Sequence, residues 1–124
     1  MSIRTSYKLR LMRKRWRIRA FRKRRELKQI VNNTAKIKPD DILVFSTLRN
    51  ERRRLPFFLK YYRDLGVKHF IIVDNNSNDG SAEYLMEQPD VSLWWSKASY
   101  KRARFGVDWL NWLQMRHGHN HWTL

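Results

Sequence analysis

Ile-Ile-Val-Asp-Asn-Asn-Ser-Asn-Asp-Gly-Ser, at residues 71–81, is the stretch that decides the predicted fold. An apolar run meets an acid, and a polar, turn-forming segment with a glycine follows. This pattern predicts a buried β-strand over residues 69–73, a tight loop, and a helix opened by Ser81. Because ligands of open α/β sheets bind beyond the carboxyl ends of the strands, we expect Asp74 and Asp79 to lie beside a small-molecule site.

The sequence before this stretch predicts a second strand and a connecting helix. Residues 42–47 (Ile-Leu-Val-Phe-Ser-Thr) form a short apolar run, which indicates a strand buried on both faces. A helix is predicted over residues 52–65, with Pro56 in its first turn and Gly66 as its stop. The core positions expected on this helix are Leu55, Phe58, Leu59, Tyr62 and Leu65. Strand, helix and strand in this order predict a right-handed βαβ unit with parallel strands.

The sequence after residue 81 continues the alternation of helices and strands. A helix over residues 82–86, a strand over 91–95 and a helix over 104–116 are predicted, and residues 121–124 resemble the start of a further strand. The residues of the last helix expected to face inward are Phe105, Trp109, Trp112, Leu113 and Met115. Six tryptophans and five tyrosines suggest a core designed to be larger. We therefore expect the chain to be the front part of a longer domain or a natural truncation of one.

The positive charge is concentrated at the N-terminal end. The formal charge is +16, and residues 1–30 contain 13 of the 27 lysines and arginines but a single acid, Glu26. We therefore divide the chain into a basic arm with linker (1–38) and an α/β part (39–124). Six apolar residues of the arm fall roughly on one helical face: Leu9, Met12, Trp16, Ala20, Leu27 and Val31.

Three interpretations of the arm remain open. A basic amphipathic helix could rest on an anionic membrane, with Trp16 and Phe21 at the interface. Phosphate contacts could instead bind nucleic acid, although the few aromatic residues disfavour a base-stacking surface. A solvated helix or a disordered tail is the third interpretation. No window has the apolar length of a transmembrane span, and no uninterrupted apolar segment resembles a secretory signal.

Several classes of chemistry lack the residues that they need. The chain has no cysteine, which excludes disulfides and thiolate metal sites. His117, His119 and His121 alternate with other residues, a spacing that favours a solvated loop over a metal site. Neither a glycine-rich phosphate loop nor a Ser/His/Asp nucleophile system is present. We therefore assign neither catalytic nor metal-binding residues.

The loop at residues 74–81 leaves two roles open for its acids. A carboxylate such as that of Asp74 could accept a hydrogen bond from uracil N3–H or from ribose hydroxyls, and Asn75, Asn76 and Ser77 offer further partners. The same residue types also shape turns by bonding to the nearby backbone. A ligand role and a local turn role for Asp74 are both consistent with the sequence.

Three segments in this order resemble a known family. Residues 42–51 are a strand ending in Thr-Leu-Arg-Asn-Glu, residues 56–66 read Pro-Phe-Phe-Leu-Lys-Tyr-Tyr-Arg-Asp-Leu-Gly, and residues 74–81 read Asp-Asn-Asn-Ser-Asn-Asp-Gly-Ser. Together they resemble the front half of a family 2-like glycosyltransferase with the GT-A fold. The resemblance covers residues 42–124 and leaves the basic arm unmatched. It implies a Rossmann-like half with a parallel sheet and flanking helices.

The resemblance also implies a ligand and its contacts. Such enzymes bind a nucleotide-diphosphate sugar, here expected to be UDP-linked. By resemblance, Thr47, Asn50 and Glu51 lie near the base and ribose, Asp74 contacts the nucleoside, and Asp79 supports it. Arg49, beside the same cleft, would face phosphate or Glu51.

The full activity of the family needs residues that this sequence does not contain. A DxD-type motif would hold Mg²⁺ or Mn²⁺ on the diphosphate, and inverting members need a later carboxylate as general base. The resemblance therefore implies a donor-binding portion, with transfer to a glycan or lipid-linked acceptor in a full-length form. Such a protein would be cytoplasmic, with residues 1–30 at the inner membrane surface. The alternative function is a basic membrane- or nucleic-acid-binding protein without catalysis.

Overall fold

A computed structural model describes residues 3–99, 106–118 and 121–124 of the chain. Two single-turn 3-10 helices, Arg24–Glu26 and Thr34–Lys36, flank the first strand. The helices and strands follow in the order α1 (Ile3–Lys23), β1 (Lys28–Val31), β2 (Ile42–Leu48), α2 (Leu55–Asp64), β3 (Val67–Asp74), α3 (Ser81–Met86), β4 (Val91–Trp95) and α4 (Val107–His117).

The four strands form one mixed sheet. Its order is β1-β4-β3-β2; β2, β3 and β4 run parallel, and β1 pairs antiparallel with β4. The predicted parallel βαβ arrangement is thus confirmed for three strands, but a wholly parallel sheet is a wrong prediction. The fourth strand comes from residues assigned to the basic arm and linker. Lys28, Gln29 and Ile30 are all exposed, so β1 lacks the apolar pattern that reveals a buried strand.

One face of the sheet is covered by α2 and α3. Pro56 lies in the first turn of α2, as predicted, and Leu55 and Leu59 are buried against the strands. Phe70, at the centre of this layer, is fully buried. Leu65 follows the last helical residue and is 57% exposed, so its predicted place in the core is wrong. The buried residues of this layer are Val44, Leu48, Leu55, Leu59, Val67, Phe70, Ile72, Leu85, Val91 and Leu93.

The opposite face of the sheet is covered by α4. Trp109 and Leu113 are fully buried there, and Trp112 packs against the same cluster, as predicted. Met115 is 42% exposed, so its predicted inward orientation is wrong. Phe105 and the predicted helix start at residue 104 lie outside the described residues. The buried residues of this layer are Leu43, Phe45, Ile71, Val73, Trp94, Trp109 and Leu113.

The basic segment forms α1, which packs on α4. Ala20 is fully buried at this contact, and the rings of Phe21 and Trp112 meet edge-on with centroids 5.8 Å apart. Arg19 Nε donates to the carboxylate of Asp108 at 2.7 Å, and Asp108 is fully buried. Of a helix and a disordered tail, both left open by the sequence, a helix is the one observed over Ile3–Lys23; Leu27 and Val31, expected on the same helical face, lie beyond its end.

Residues 122–124 pair with the outer edge of β2. Leu43 N donates to Trp122 O at 2.9 Å, Leu124 N donates to Leu43 O at 2.9 Å, and Phe45 N donates to Leu124 O at 3.0 Å. The bridge between Leu43 and Thr123 is parallel. The predicted start of a further strand is thus confirmed as a short parallel pairing.

Candidate functional site

A cavity opens at the carboxyl ends of the three parallel strands. The last residues of β2, β3 and β4 stand in register, with Leu48 beside Asp74 and Asp74 beside Trp95. The cavity has a volume of about 850 Å³, which falls within the range of small-molecule sites. Its position is the one that the general rule for open α/β sheets assigns to a ligand.

Thr47, the penultimate residue of β2, lines this cavity. Its hydroxyl oxygen is buried and has no hydrogen-bond partner among the described residues. A buried hydroxyl without a partner costs free energy, and a polar group brought within hydrogen-bond reach of it would relieve this cost. Thr47 is thus a predicted site residue that the structure places at the cavity.

Asn75, which follows β3, has a fixed orientation at the same cavity. Its Nδ2 donates to Ser96 O at 3.0 Å and to Ala98 O at 3.1 Å. Because both amide hydrogens are used on backbone carbonyls, the nitrogen and oxygen of the side chain cannot be exchanged. The Asn75 oxygen remains available as an acceptor, and Asn75 lines the cavity. Asn75 is expected from the sequence as a polar partner but is not among the five predicted site residues; its signal is its place directly after the strand-ending acid.

The loops after β2 and β3 are joined into one hydrogen-bonded unit. Three consecutive backbone N–H groups, those of Asn50, Glu51 and Arg52, donate to Ser77 Oγ (2.8 Å), Ser81 Oγ (3.1 Å) and Asp79 Oδ2 (3.1 Å), respectively. In the other direction, Asn78 N donates to Asn50 Oδ1 at 2.8 Å. Asn50 and Asn76 have φ values of 54° and 56°, a conformation that asparagine tolerates better than most residues.

Asp74 and Asp79 are both engaged within this unit. Asp74 is fully buried, and its carboxylate accepts hydrogen bonds from the N–H and the hydroxyl of Ser77. Asp79 Oδ1 accepts from the N–H of Ser81 at 3.0 Å and from its hydroxyl at 2.5 Å. The bond from the Ser81 side chain lowers the pKa of Asp79 below its usual value. The turn-forming role that the sequence left open is therefore observed, and a contact of Asp74 or Asp79 with a nucleoside stays a prediction.

The five predicted site residues thus separate into two groups. Thr47 and Glu51 line the cavity. Asn50, Asp74 and Asp79 build the loops behind it, since each makes hydrogen bonds between or within the two loops. The sequence could not separate these groups, because members of both lie at the ends of β2 and β3 or in the loops that follow these strands.

The charged residues that line the cavity are mainly cationic. Arg49, Arg54 and Lys97 are the cations among the described lining residues, and Glu51 is the one carboxylate. Arg54 Nε lies 3.7 Å from Glu51 Oε2. None of the described carboxylates lies within ion-pair distance of Arg49 or Lys97.

The described part of the chain contains no group of three or more His, Cys, Asp or Glu residues that could hold a metal ion. His69 is buried, and its Nε2 lies 2.8 Å from Ser92 Oγ. Burial lowers the pKa of His69, and burial likewise lowers that of His117. His121 Nδ1 lies 2.8 Å from Asp41 O, and His119 is outside the described residues. One carboxylate in a cationic cavity does not fit Mg²⁺ or Mn²⁺, which prefer several oxygen ligands.

No protein-family model, curated protein or solved structure matches this chain. The fold and the site define it as an α/β protein with a four-stranded mixed sheet, flanking helices and a cavity at the carboxyl ends of its parallel strands. None of the helices in residues 3–99 and 106–118 combines the length and apolar character needed to cross a bilayer.

Proposed function

We propose that the cavity binds the nucleoside of a UDP-linked sugar, and that the chain is the donor-binding portion of a family 2-like glycosyltransferase. The observation that carries this proposal is the pair of polar groups at the strand ends: the unpartnered hydroxyl of Thr47 and the fixed amide oxygen of Asn75. The ordered motifs at residues 42–51, 56–66 and 74–81 give the class of enzyme. Sugar transfer to a glycan or lipid-linked acceptor would belong to the full-length form.

The two polar groups suit a uridine in complementary ways. The Asn75 oxygen accepts hydrogen bonds only, and uracil N3–H is a donor. The Thr47 hydroxyl can both donate and accept, as can a ribose hydroxyl. Glu51, at the same cavity, offers a carboxylate to the ribose. The Rossmann-like GT-A fold and these contacts are parts of the same proposal.

Thr47→Val tests the nucleoside site with little change of shape. We expect this variant to bind uridine about fivefold to tenfold more weakly than the wild type, because one neutral hydrogen bond contributes about 1 kcal/mol. Titration calorimetry with uridine measures the effect. The control is Thr123→Val, which makes the same change at an exposed position outside the cavity. Equal affinities of the Thr47→Val variant and the wild type would contradict the proposed site.

We further propose that α1 contacts an anionic membrane surface. Ala20 faces α4, and at 100° per residue Leu11, Arg15, Ile18 and Arg22 lie on the opposite side of the helix. Leu11 is 42% exposed and Ile18 is 44% exposed. A stripe in which apolar residues alternate with arginines can insert shallowly while its cations meet lipid phosphates.

Two paired substitutions test this outer stripe. Removing Arg15 and Arg22 together, as Arg15→Gln with Arg22→Gln, should lower partitioning onto vesicles containing phosphatidylserine by about thirtyfold, at about 1 kcal/mol per charge. Arg13→Gln with Arg17→Gln removes equal charge beside α4, where both arginines line a cleft with Asn111, and should have the smaller effect. Vesicle flotation at modest salt measures the partitioning. Equal losses for the two pairs, or equal binding of duplex DNA and vesicles by the wild type, would contradict membrane docking through this stripe.

A further inference from the structure

Two cations at the cavity have no carboxylate partner in the described structure. Arg49 directly follows β2, and Lys97 lies two residues beyond the end of β4; both are exposed. The protein as a whole is strongly basic, so exposed cations are common on its surface. These two differ from most of the others because they line the cavity that Thr47 and Asn75 also line.

The sheet places these cations on opposite sides of the β3 terminus. The order β4-β3-β2 and the register of Leu48, Asp74 and Trp95 put β2 and β4 two strand spacings apart, which is about 10 Å. Arginine and lysine side chains are long enough to approach a common ligand across that gap. Asn75, between them, ties the β3 end to the segment that carries Lys97 through its bonds to Ser96 O and Ala98 O.

We infer that Arg49 and Lys97 form a phosphate subsite that binds the diphosphate of the ligand directly, without a bridging metal ion. This inference rests on the proposed nucleotide function for the nucleoside part of the ligand. The guanidinium of Arg49 provides paired donors for phosphate oxygens, and the ammonium of Lys97 provides a point charge. Glu51 is the one carboxylate among the described lining residues, and Arg54 lies beside it. The side chains of this cavity are therefore suited to an anion rather than to a divalent cation.

Calorimetry of the full chain in EDTA, with uridine, UDP and inorganic pyrophosphate as separate probes, tests this subsite. We expect UDP to bind at least about tenfold more tightly than uridine, the contribution of one charge-assisted hydrogen bond. Arg49→Ala and Lys97→Ala should each weaken UDP and pyrophosphate binding by about tenfold and leave uridine binding unchanged. The control Arg53→Ala removes an exposed cation of the same loop that does not line the cavity, and should change none of the three affinities.

The three probes separate the subsite from the proposed nucleoside site. Binding of pyrophosphate that depends on Arg49 and Lys97 supports the subsite even when uridine does not bind, an outcome that contradicts the nucleoside proposal alone. Uridine binding that depends on Thr47, without any effect of Arg49→Ala or Lys97→Ala on UDP, overturns the subsite alone. An equal loss of UDP affinity in Arg53→Ala also overturns it, because general surface charge would then explain the binding.

Discussion

Replacing Phe70 by alanine should lower the free energy of unfolding by about 3–5 kcal/mol, the usual cost of removing a fully buried phenylalanine. Phe70 lies on β3, the strand whose carboxyl end carries the two acids of the loop, and it is completely buried. Its ring centroid lies 6.0 Å from that of Phe58 on α2. The substitution therefore leaves a cavity where α2 packs on the sheet.

Phe57→Ala is the matched control for this substitution. Phe57 lies on α2 but is 76% exposed, so its removal should change the free energy of unfolding by no more than about 0.5 kcal/mol. Urea denaturation followed by circular dichroism measures both variants. Similar losses for the two variants would show that Phe70 does not occupy the packed centre of this layer.

Ser77→Ala should destabilise the protein by about 2–3 kcal/mol and weaken uridine binding at the same time. The Ser77 hydroxyl donates to the buried carboxylate of Asp74 and accepts from Asn50 N at 2.8 Å. Its loss leaves the buried Asp74 side chain with fewer donors, which is costly, and removes the serine acceptor of the exposed Asn50 N–H. Because this hydroxyl joins the two loops beside the cavity, the geometry around Thr47 and Glu51 should loosen with it.

A double-mutant cycle separates the specific contact from a general loss of stability. Asp74→Ala, Ser77→Ala and the combined variant are compared by urea denaturation. We expect a coupling energy of about 1 kcal/mol or more, because the two residues share hydrogen bonds. Strictly additive effects would show that Asp74 and Ser77 do not act together.

The parallel part of the fold could be predicted because its strands are short runs of mostly apolar residues. Residues 42–47 and 69–73 are almost continuously apolar, and β2 and β3 are found there with small extensions at their ends. The strand β1 could not be predicted in the same way, since three of its four residues are exposed and its pairing with β4 is set by the tertiary structure. The sequence of the basic segment is consistent with both a helix and a disordered tail. The packing of α1 through Arg19 and Asp108 connects residues 89 positions apart, a contact that no local pattern reveals.

The position of the candidate site could be predicted from the sequence. Which residues line the cavity and which build the loops behind it could not. The rule for strand ends located the loop after β3, and the family resemblance named Thr47 and Glu51, which do line the cavity. Local sequence could not show that the Asp74 carboxylate is turned towards Ser77, or that the Asn75 amide reaches across to residues 96–98. Both depend on backbone geometry beyond the strand, where successive residues point in different directions.

The amide bridge from Asn75 to residues 96–98 has a mechanical consequence. A ligand group that donates a hydrogen bond to the Asn75 oxygen also restrains the Asn75 side chain. That side chain holds residues 96–98 through its two hydrogen bonds, and Lys97 belongs to this segment. A base bound at the Asn75 oxygen should therefore order the Lys97 ammonium group before a phosphate binds to it. The nucleoside and the diphosphate would then bind cooperatively. When uridine and free pyrophosphate are added together, each should raise the affinity of the protein for the other.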